Sequence, residues 1–187
     1  MHVYLLDKSI ARKIVEGLRR VREDRPLPQD HIASLAFWQA ALDQESDLYI
    51  LPHSMHVLER FSPSPEIAWL TDTVQTIQFG RYVRRWARRL RGYGFTREDA
   101  VVLSLGTFGT NDQGSILGVE AVVTLDRPII NNYRHHRDSL VGRLAAMTRQ
   151  LPAPFCDAAL PDLQSPDETL AALMKLKATS WSSRQPG

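Results

Sequence analysis

The sequence predicts an α/β fold in which helices cover both faces of a central, mostly parallel β-sheet, an α/β/α sandwich. Short apolar runs that fit buried strands alternate with longer segments whose apolar residues recur at helical spacing. Two of the short runs lead into an aspartate, Asp7 after VYLL and Asp126 after VEAVVTL. Because ligands of such sheets bind outside the carboxyl ends of the strands, the sequence also predicts a site at that edge.

The first half of the chain contains two predicted strands and the helices that follow them. Each strand is a short apolar run, and each helix shows apolar residues three or four positions apart. In chain order these elements are a strand at 2–6, a helix at 9–21, a helix at 31–42, a strand at 47–51, a helix at 54–61 and a helix at 65–90 with an interruption at Gly80. Ser64 and Pro65 have the chemistry of an N-cap and a first helical residue.

The next part of the chain supplies one more helix and one more strand. Thr96 is a suitable N-cap for a helix that carries three charged residues in its first turn and continues to about residue 105. A glycine-containing loop over 106–114 precedes an apolar strand over 118–125. The order strand, helices, strand, helices, strand is typical of a parallel α/β sheet.

The composition of the sequence changes at about Leu151, where a proline-rich stretch begins that has no long segment of periodic apolar residues. We expect one domain over 1–150 and a proline-rich C-terminal arm over 151–187. Ser165 and Glu168 have the spacing of a capping box, which predicts a short helix over 166–178. That helix could dock on its own domain or on a second subunit.

Composition narrows the class of protein. The chain has 187 residues, 43% of them hydrophobic and 24% charged, which describes one ordinary soluble domain. No apolar run approaches the roughly 20 residues that span a bilayer, and the first apolar segment is short for a signal peptide, so we expect a cytoplasmic protein. Cys156 is the only cysteine, which excludes an intramolecular disulfide and a multi-cysteine zinc site.

A concentrated run of arginines lies within a nearly neutral chain of net charge +2. At helical spacing this run separates a basic face from an apolar face that includes Phe79, Val83 and Trp86. The basic residues are Arg81, Arg84, Arg85, Arg88 and Arg89. The run predicts either a solvated surface helix or a ridge that contacts phosphates, because it is all arginine without interleaved glutamate.

Four acidic residues, Asp7, Glu59, Asp99 and Asp126, each lie in an apolar strand or helix context. Clustered buried carboxylates would require a positive charge, and oxygen ligands favour a hard divalent cation such as Mg²⁺ or Mn²⁺. Each acid also has a purely structural explanation. Asp7 could end a strand or cap a helix, Glu59 could be exposed, Asp99 could favour a helix N-terminus, and Asp126 could begin a turn.

The segments that contain these acids resemble the PIN domain, a nuclease fold found in toxin ribonucleases and in RNA-processing nucleases. VYLLDKS resembles its first strand, LYILPHSMHVLERF its second strand and acidic helix, GFTREDAVVLSLG its helix with the third acid, and LGVEAVVTLD its last acidic strand. The resemblance covers residues 1–143, with the four segments in the family's order.

The resemblance implies that Asp7, Glu59, Asp99 and Asp126 hold one or two Mg²⁺ or Mn²⁺ ions for hydrolysis of RNA phosphodiester bonds. Ser9 and Thr124 are then expected to supply hydroxyls that orient the acids. It also implies single-stranded or structured RNA as substrate, a toxin-like role with an antitoxin-like protein partner, and a homodimer with contacts at Trp86 or the C-terminal helix. No membrane partner is expected.

The first acidic segment departs from the family pattern, in which threonine or serine and then asparagine commonly follow the aspartate. Here Lys8 and Ser9 follow Asp7, and Lys8 could contact a phosphate or point into solvent. Three functions therefore stay open: a metal-dependent ribonuclease, a catalytically inactive PIN-fold module that binds RNA or protein, and a scaffold domain that uses the C-terminal arm.

Overall fold

Five parallel strands form one sheet in a computed structural model that describes residues 2–61 and 64–182, except for the side chains of 59, 61 and 176–182. The strands are β1 (Val3–Leu6), β2 (Asp47–Ile50), β3 (Gln75–Thr76), β4 (Ala121–Val123) and β5 (Asp162–Gln164). Their order across the sheet is β3-β2-β1-β4-β5, and every neighbouring pair is parallel. The predicted α/β class with a parallel central sheet is confirmed.

Eight α-helices flank the sheet in the described part of the chain. They are α1 (Lys8–Arg22), α2 (Gln29–Asp43), α3 (Pro52–Phe61), α4 (Pro65–Thr73), α5 (Val83–Leu90), α6 (Arg97–Phe108), α7 (Arg127–Thr148) and α8 (Pro166–Ser182). Successive side chains of β1 alternate between two cores, as the period of a strand requires. Tyr4 and Leu6 join a core with residues of α1, α2 and α8, whereas Leu5 joins a core with residues of α5, α6 and α7.

The central strand β1 marks a reversal in the order of the sheet. From β1 the chain continues to β2 and β3 on one side, and β4 and β5 lie on the other side. Such a switch point leaves a crevice at the carboxyl ends of the two strands that flank it. The backbone N–H of Asp7 donates to the carbonyl of Val123 at 3.0 Å, which extends the pairing of β1 and β4 to the crevice.

The long predicted helix over 65–90 is wrong between residues 74 and 82. Helix α4 ends at Thr73, β3 follows as an edge strand, and α5 begins only at Val83. Val83 and Trp86 are buried as predicted, but Phe79 precedes the helix and its side chain is 56% exposed. Because Phe79 lies outside the helix, the periodicity that placed it in the core does not apply to it.

Helix α7 has no counterpart in the sequence prediction, and the C-terminal segment differs from the predicted arm. Strand β5 pairs with β4, and α8 packs on α2 and buries Leu173 completely. Residues from Leu151 onward therefore contribute to the sheet and to its helical cover. The predicted capping box of α8 is confirmed, since Ser165 and Glu168 exchange backbone-to-side-chain hydrogen bonds of 2.9 and 3.3 Å.

Two further expectations concern surfaces. Trp86, one of the two expected dimer contacts, is completely buried within its own chain and cannot contact a second copy. Among the described residues, none of the helices combines the length and the apolar character needed to cross a membrane.

Candidate functional site

Asp7 lies at the carboxyl end of β1, where it caps α1. Its Oδ1 accepts a hydrogen bond of 2.8 Å from the backbone N–H of Lys8. Its Oδ2 accepts from the hydroxyl of Ser9 at 2.7 Å and from the hydroxyl of Thr124 at 3.0 Å. Both hydroxyls that the resemblance assigns to orienting roles thus contact the same carboxylate oxygen.

Asp126 follows the neighbouring strand β4, which ends at Val123, and it caps α7. Its Oδ1 accepts from the backbone N–H of Ile129 at 3.2 Å, and its own N–H donates to Oγ1 of Thr124 at 3.1 Å. Thr124 is buried, and its hydroxyl contacts both residues because it donates to Asp7 and accepts from the N–H of Asp126. This hydroxyl links the Asp7 carboxylate to the backbone of Asp126.

Asp99 lies in the first turn of α6. The predicted cap is confirmed: Thr96 Oγ1 accepts from the N–H of Asp99 at 3.2 Å, and Asp99 Oδ2 accepts from the N–H of Thr96 at 3.2 Å. The hydroxyl of Thr96 also donates to Asp99 Oδ2 at 2.6 Å. These contacts fix the carboxylate and occupy its Oδ2, while no hydrogen bond engages Oδ1 within the described part of the chain.

Three of the four predicted acids line one small cavity. Asp7, Asp99 and Asp126 come from three different elements and surround a space of about 100 Å³. The rest of the lining consists of Lys8, Glu98 and Thr124 with the apolar side chains Val102, Val122, Ile129 and Leu163. The Glu59 side chain, the fourth predicted acid, lies outside the described residues.

Lys8, the departure from the family pattern, lies at this cavity and forms an ion pair with Glu98. The hydrogen bond to Glu98 raises the pKa of Lys8, and although partial burial opposes this effect, the negative charges of Glu98, Asp7 and Asp99 reinforce it. The ammonium group therefore neutralises part of the negative charge at the cavity.

The donor chemistry of the cavity suits a hard cation, because carboxylate and hydroxyl oxygens are the ligands that Mg²⁺ and Mn²⁺ prefer. In the present side-chain arrangement, however, the described residues contain no group of three His, Cys, Asp or Glu side chains positioned to hold a metal ion. Mg²⁺ commonly keeps several water ligands and binds through one or two carboxylates. Asp126 Oδ2 and Asp99 Oδ1 are the oxygens available to such a hydrated ion, because neither has a hydrogen-bond partner within the described part of the chain.

The arginine-rich segment lies away from the cavity lining. Arg84, Arg85 and Arg88 are exposed on α5, while Arg81 precedes the helix and stacks over the ring of Tyr82 at 5.5 Å. Partial burial, with the positive charges of Arg143 and Arg85, lowers the pKa of Arg89. None of these arginines lines the acidic cavity, so of the predicted phosphate contacts only Lys8 reaches it.

Glu98 is the charged lining residue that the predicted site did not include. The available signal was its position in the first turn of α6, directly before the predicted site acid Asp99. Comparisons with protein-family models, with curated proteins and with solved structures gave no match to this chain.

Proposed function

We propose that the protein is a cytoplasmic, metal-dependent nuclease of PIN type that hydrolyses RNA phosphodiester bonds. One observation carries the proposal: Asp7, Asp99 and Asp126 line a single cavity at the switch point of a parallel sheet. Three separate segments of the chain contribute these acids. Their shared cavity favours a chemical role over three unrelated structural ones.

The protein's own residues supply oxygen ligands and their orientation. Ser9 and Thr124 fix the Asp7 carboxylate, and Thr96 fixes that of Asp99. A bound Mg²⁺ or Mn²⁺ would supply an activated water and would neutralise charge on the phosphate. Val122 and Leu163 form a buried apolar part of the cavity lining.

The test is cleavage of a labelled mixed-sequence single-stranded RNA by the wild-type protein and by Asp126→Asn, with Mn²⁺, Mg²⁺ or EDTA. Asparagine caps helices about as well as aspartate, so this variant keeps the start of α7 and loses a charged ligand. We expect metal-dependent cleavage by the wild type and a loss of roughly 100-fold or more in the variant, the scale of a disrupted electrostatic site.

Asp138→Asn is the matched control, because Asp138 is an exposed aspartate on the same helix and lies outside the cavity lining. It should retain wild-type cleavage. Cleavage that is unaffected by EDTA, or equal in Asp126→Asn and the wild type, would refute the metal-dependent site.

The second candidate is a catalytically inactive PIN-fold module that binds RNA or protein. The Lys8–Glu98 ion pair at the cavity favours it, because a resident ammonium group competes with a metal ion for the same negative charge. Such a module would bind RNA equally well with and without EDTA and would cleave none. The nuclease proposal also includes three interactions. They are an antitoxin-like protein partner, a homodimer, and contact of the α5 arginines with the phosphate backbone of RNA.

A further inference from the structure

A wide apolar groove opens beside the acidic cavity. It has a volume of about 850 Å³ and runs between α1, α3 and the first turns of α6. Lys8 and Glu98 line both the groove and the cavity, so the two spaces adjoin at that ion pair. The groove is larger than the cavity and within the usual size of ligand sites.

The groove exposes an aromatic ring and aliphatic side chains that would ordinarily be buried. Phe79 is 56% exposed and Val57 is 37% exposed, and both line it together with Leu51, Leu58 and Val101. An exposed phenylalanine that is not part of a helix or strand contributes little to the core. A ring in such a position can instead stack with a planar ligand.

Positive charge accompanies this apolar surface. Arg97 and Arg12 line the groove, and Arg97 has no ion-pair partner within the described part of the chain. Arg12 has one ion pair, a distant one of 3.6 Å with Glu16. A second depression of about 340 Å³ shares Arg12, Val57 and Leu58 with the groove and continues along α1 to Arg19. An apolar floor with arginines along its edge is complementary to a ligand with flat apolar parts and an anionic backbone.

We propose that this groove binds the nucleobases of a single-stranded nucleic acid, with one base stacked on Phe79 and the backbone along Arg97 and Arg12. The inference rests on the proposed function, because it places the scissile phosphate at the adjoining acidic cavity. Stacking on an aromatic side chain between basic residues is how proteins hold unpaired strands. Bases within a duplex are already stacked and paired, so the groove selects single strands.

The test measures the affinity of a fluorescein-labelled oligoribonucleotide of about eight residues by anisotropy in EDTA, where metal-dependent cleavage is absent. Phe79→Ala should weaken binding roughly 10-fold, the effect of removing one stacking partner. Phe79→Trp should retain wild-type affinity. Trp69→Ala is the matched control, because Trp69 is 59% exposed on α4 and lines neither the groove nor the cavity; its affinity should change less than about twofold.

A second probe separates stacking from charge. An oligonucleotide of the same length with abasic residues should bind the wild type more weakly than the normal strand, and the difference between the two probes should be smaller for Phe79→Ala. A duplex of the same sequence should bind the wild type more weakly than the single strand.

Equal affinity of Phe79→Ala and the wild type would overturn the groove assignment, while cleavage by the wild type would leave the nuclease proposal intact. Conversely, the predicted loss of affinity with an RNA that is never cleaved would support the groove and remove the nuclease proposal. If Phe79→Ala converts a sedimenting dimer into a monomer without changing RNA affinity, the groove belongs to a second copy of the chain and the inference fails.

Discussion

Each of the three cavity acids also stabilises the start of a helix. Asp7 caps α1, Asp126 caps α7, and Asp99 belongs to the capping box of α6. Each of these carboxylates accepts a hydrogen bond from a backbone N–H at or beside a helix N-terminus, a structural role that needs no cation. The structural and the chemical explanations of these residues, which look like alternatives in the sequence, therefore apply to the same side chains.

Lys8 is the residue whose replacement should strengthen metal binding. Lys8→Met removes the ammonium group that pairs with Glu98 and acts electrostatically on Asp7 and Asp99. We expect Mn²⁺ to bind roughly tenfold more tightly, in line with the loss of one nearby repulsive charge at a partly exposed site. The affinity is measured by isothermal titration calorimetry.

Lys13→Met is the control, because Lys13 lies on the same helix but pairs with Glu16 and does not line the cavity. It should leave Mn²⁺ affinity unchanged, and both variants should lose less than about 1 kcal/mol of stability, as exposed ion pairs contribute little. Unchanged or weaker Mn²⁺ binding in Lys8→Met would show that Lys8 does not compete with the ion.

At the scale of elements, one glutamate links the start of α8 to α7. Glu168 accepts hydrogen bonds from Ser165 and pairs with Arg134 at 2.6 Å. The backbone N–H of Ser165 lowers the pKa of Glu168 below its ordinary value of 4.5, burial opposes this, and Arg134 assists it. A lowered pKa in the folded state means that the ionised carboxylate stabilises the fold.

We therefore expect Glu168→Gln to be less stable than the wild type at pH 7 by up to about 1 kcal/mol. The contribution is present above the ordinary pKa and is lost as the pH falls through the lowered folded-state pKa. Urea unfolding at pH 7 and at pH 3 measures this difference, which should shrink at the lower pH. Asp167→Asn, at an exposed neighbour in the same helical turn, controls for the loss of one negative charge. A difference that persists at pH 3 would contradict the ionic contribution.

The elements that sequence reasoning missed are short or polar. Strand β3 has two residues and β5 has three, too few to show an alternating pattern. Both strands depend on pairing with a neighbour, which no local signal reveals. Helix α7 is polar in its middle, yet it begins with Asp126 as N-cap and a proline in its first turn, which is an N-terminal signal present in the sequence.

At the scale of the whole molecule, the C-terminal segment closes one of the two cores. Leu173 of α8 is fully buried in the core that contains Tyr4 and Leu6 of the central strand. Its backbone carbonyl also accepts a hydrogen bond of 3.1 Å from the Gln44 side chain, just beyond α2. Leu173→Ala should therefore destabilise the entire fold by about 2–5 kcal/mol.

Urea unfolding of Leu173→Ala, followed by far-ultraviolet circular dichroism, measures this loss. Met174→Ala is the matched control, since Met174 follows directly and is 55% exposed; it should change stability by less than about 0.5 kcal/mol. Wild-type stability in Leu173→Ala would indicate that α8 contributes little to the fold.

Secondary structure and helix caps could be predicted from the sequence wherever neighbouring residues alone determine them. The strands that end at Asp7 and Asp126, the Thr96 cap and the buried face of α5 could all be predicted from spacing and side-chain type. The positions of Glu98 in the cavity and of Phe79 in the adjoining groove could not, because they depend on how α6 and the segment after β3 pack at the edge of the sheet. Tertiary packing determines these relative positions, and no local sequence pattern reveals them.

The order of strands also fixes when the acidic cavity can exist during synthesis. Strand β1 leaves the ribosome early, but the neighbour that brings Asp126 to Asp7 is β4, whose register pairs Tyr4 with Ala121. At about 5–20 residues per second, the intervening chain takes roughly 6–24 s to make. A nascent chain that lacks β4 therefore has no acidic cavity, and the three acids come together only after most of the chain has been made.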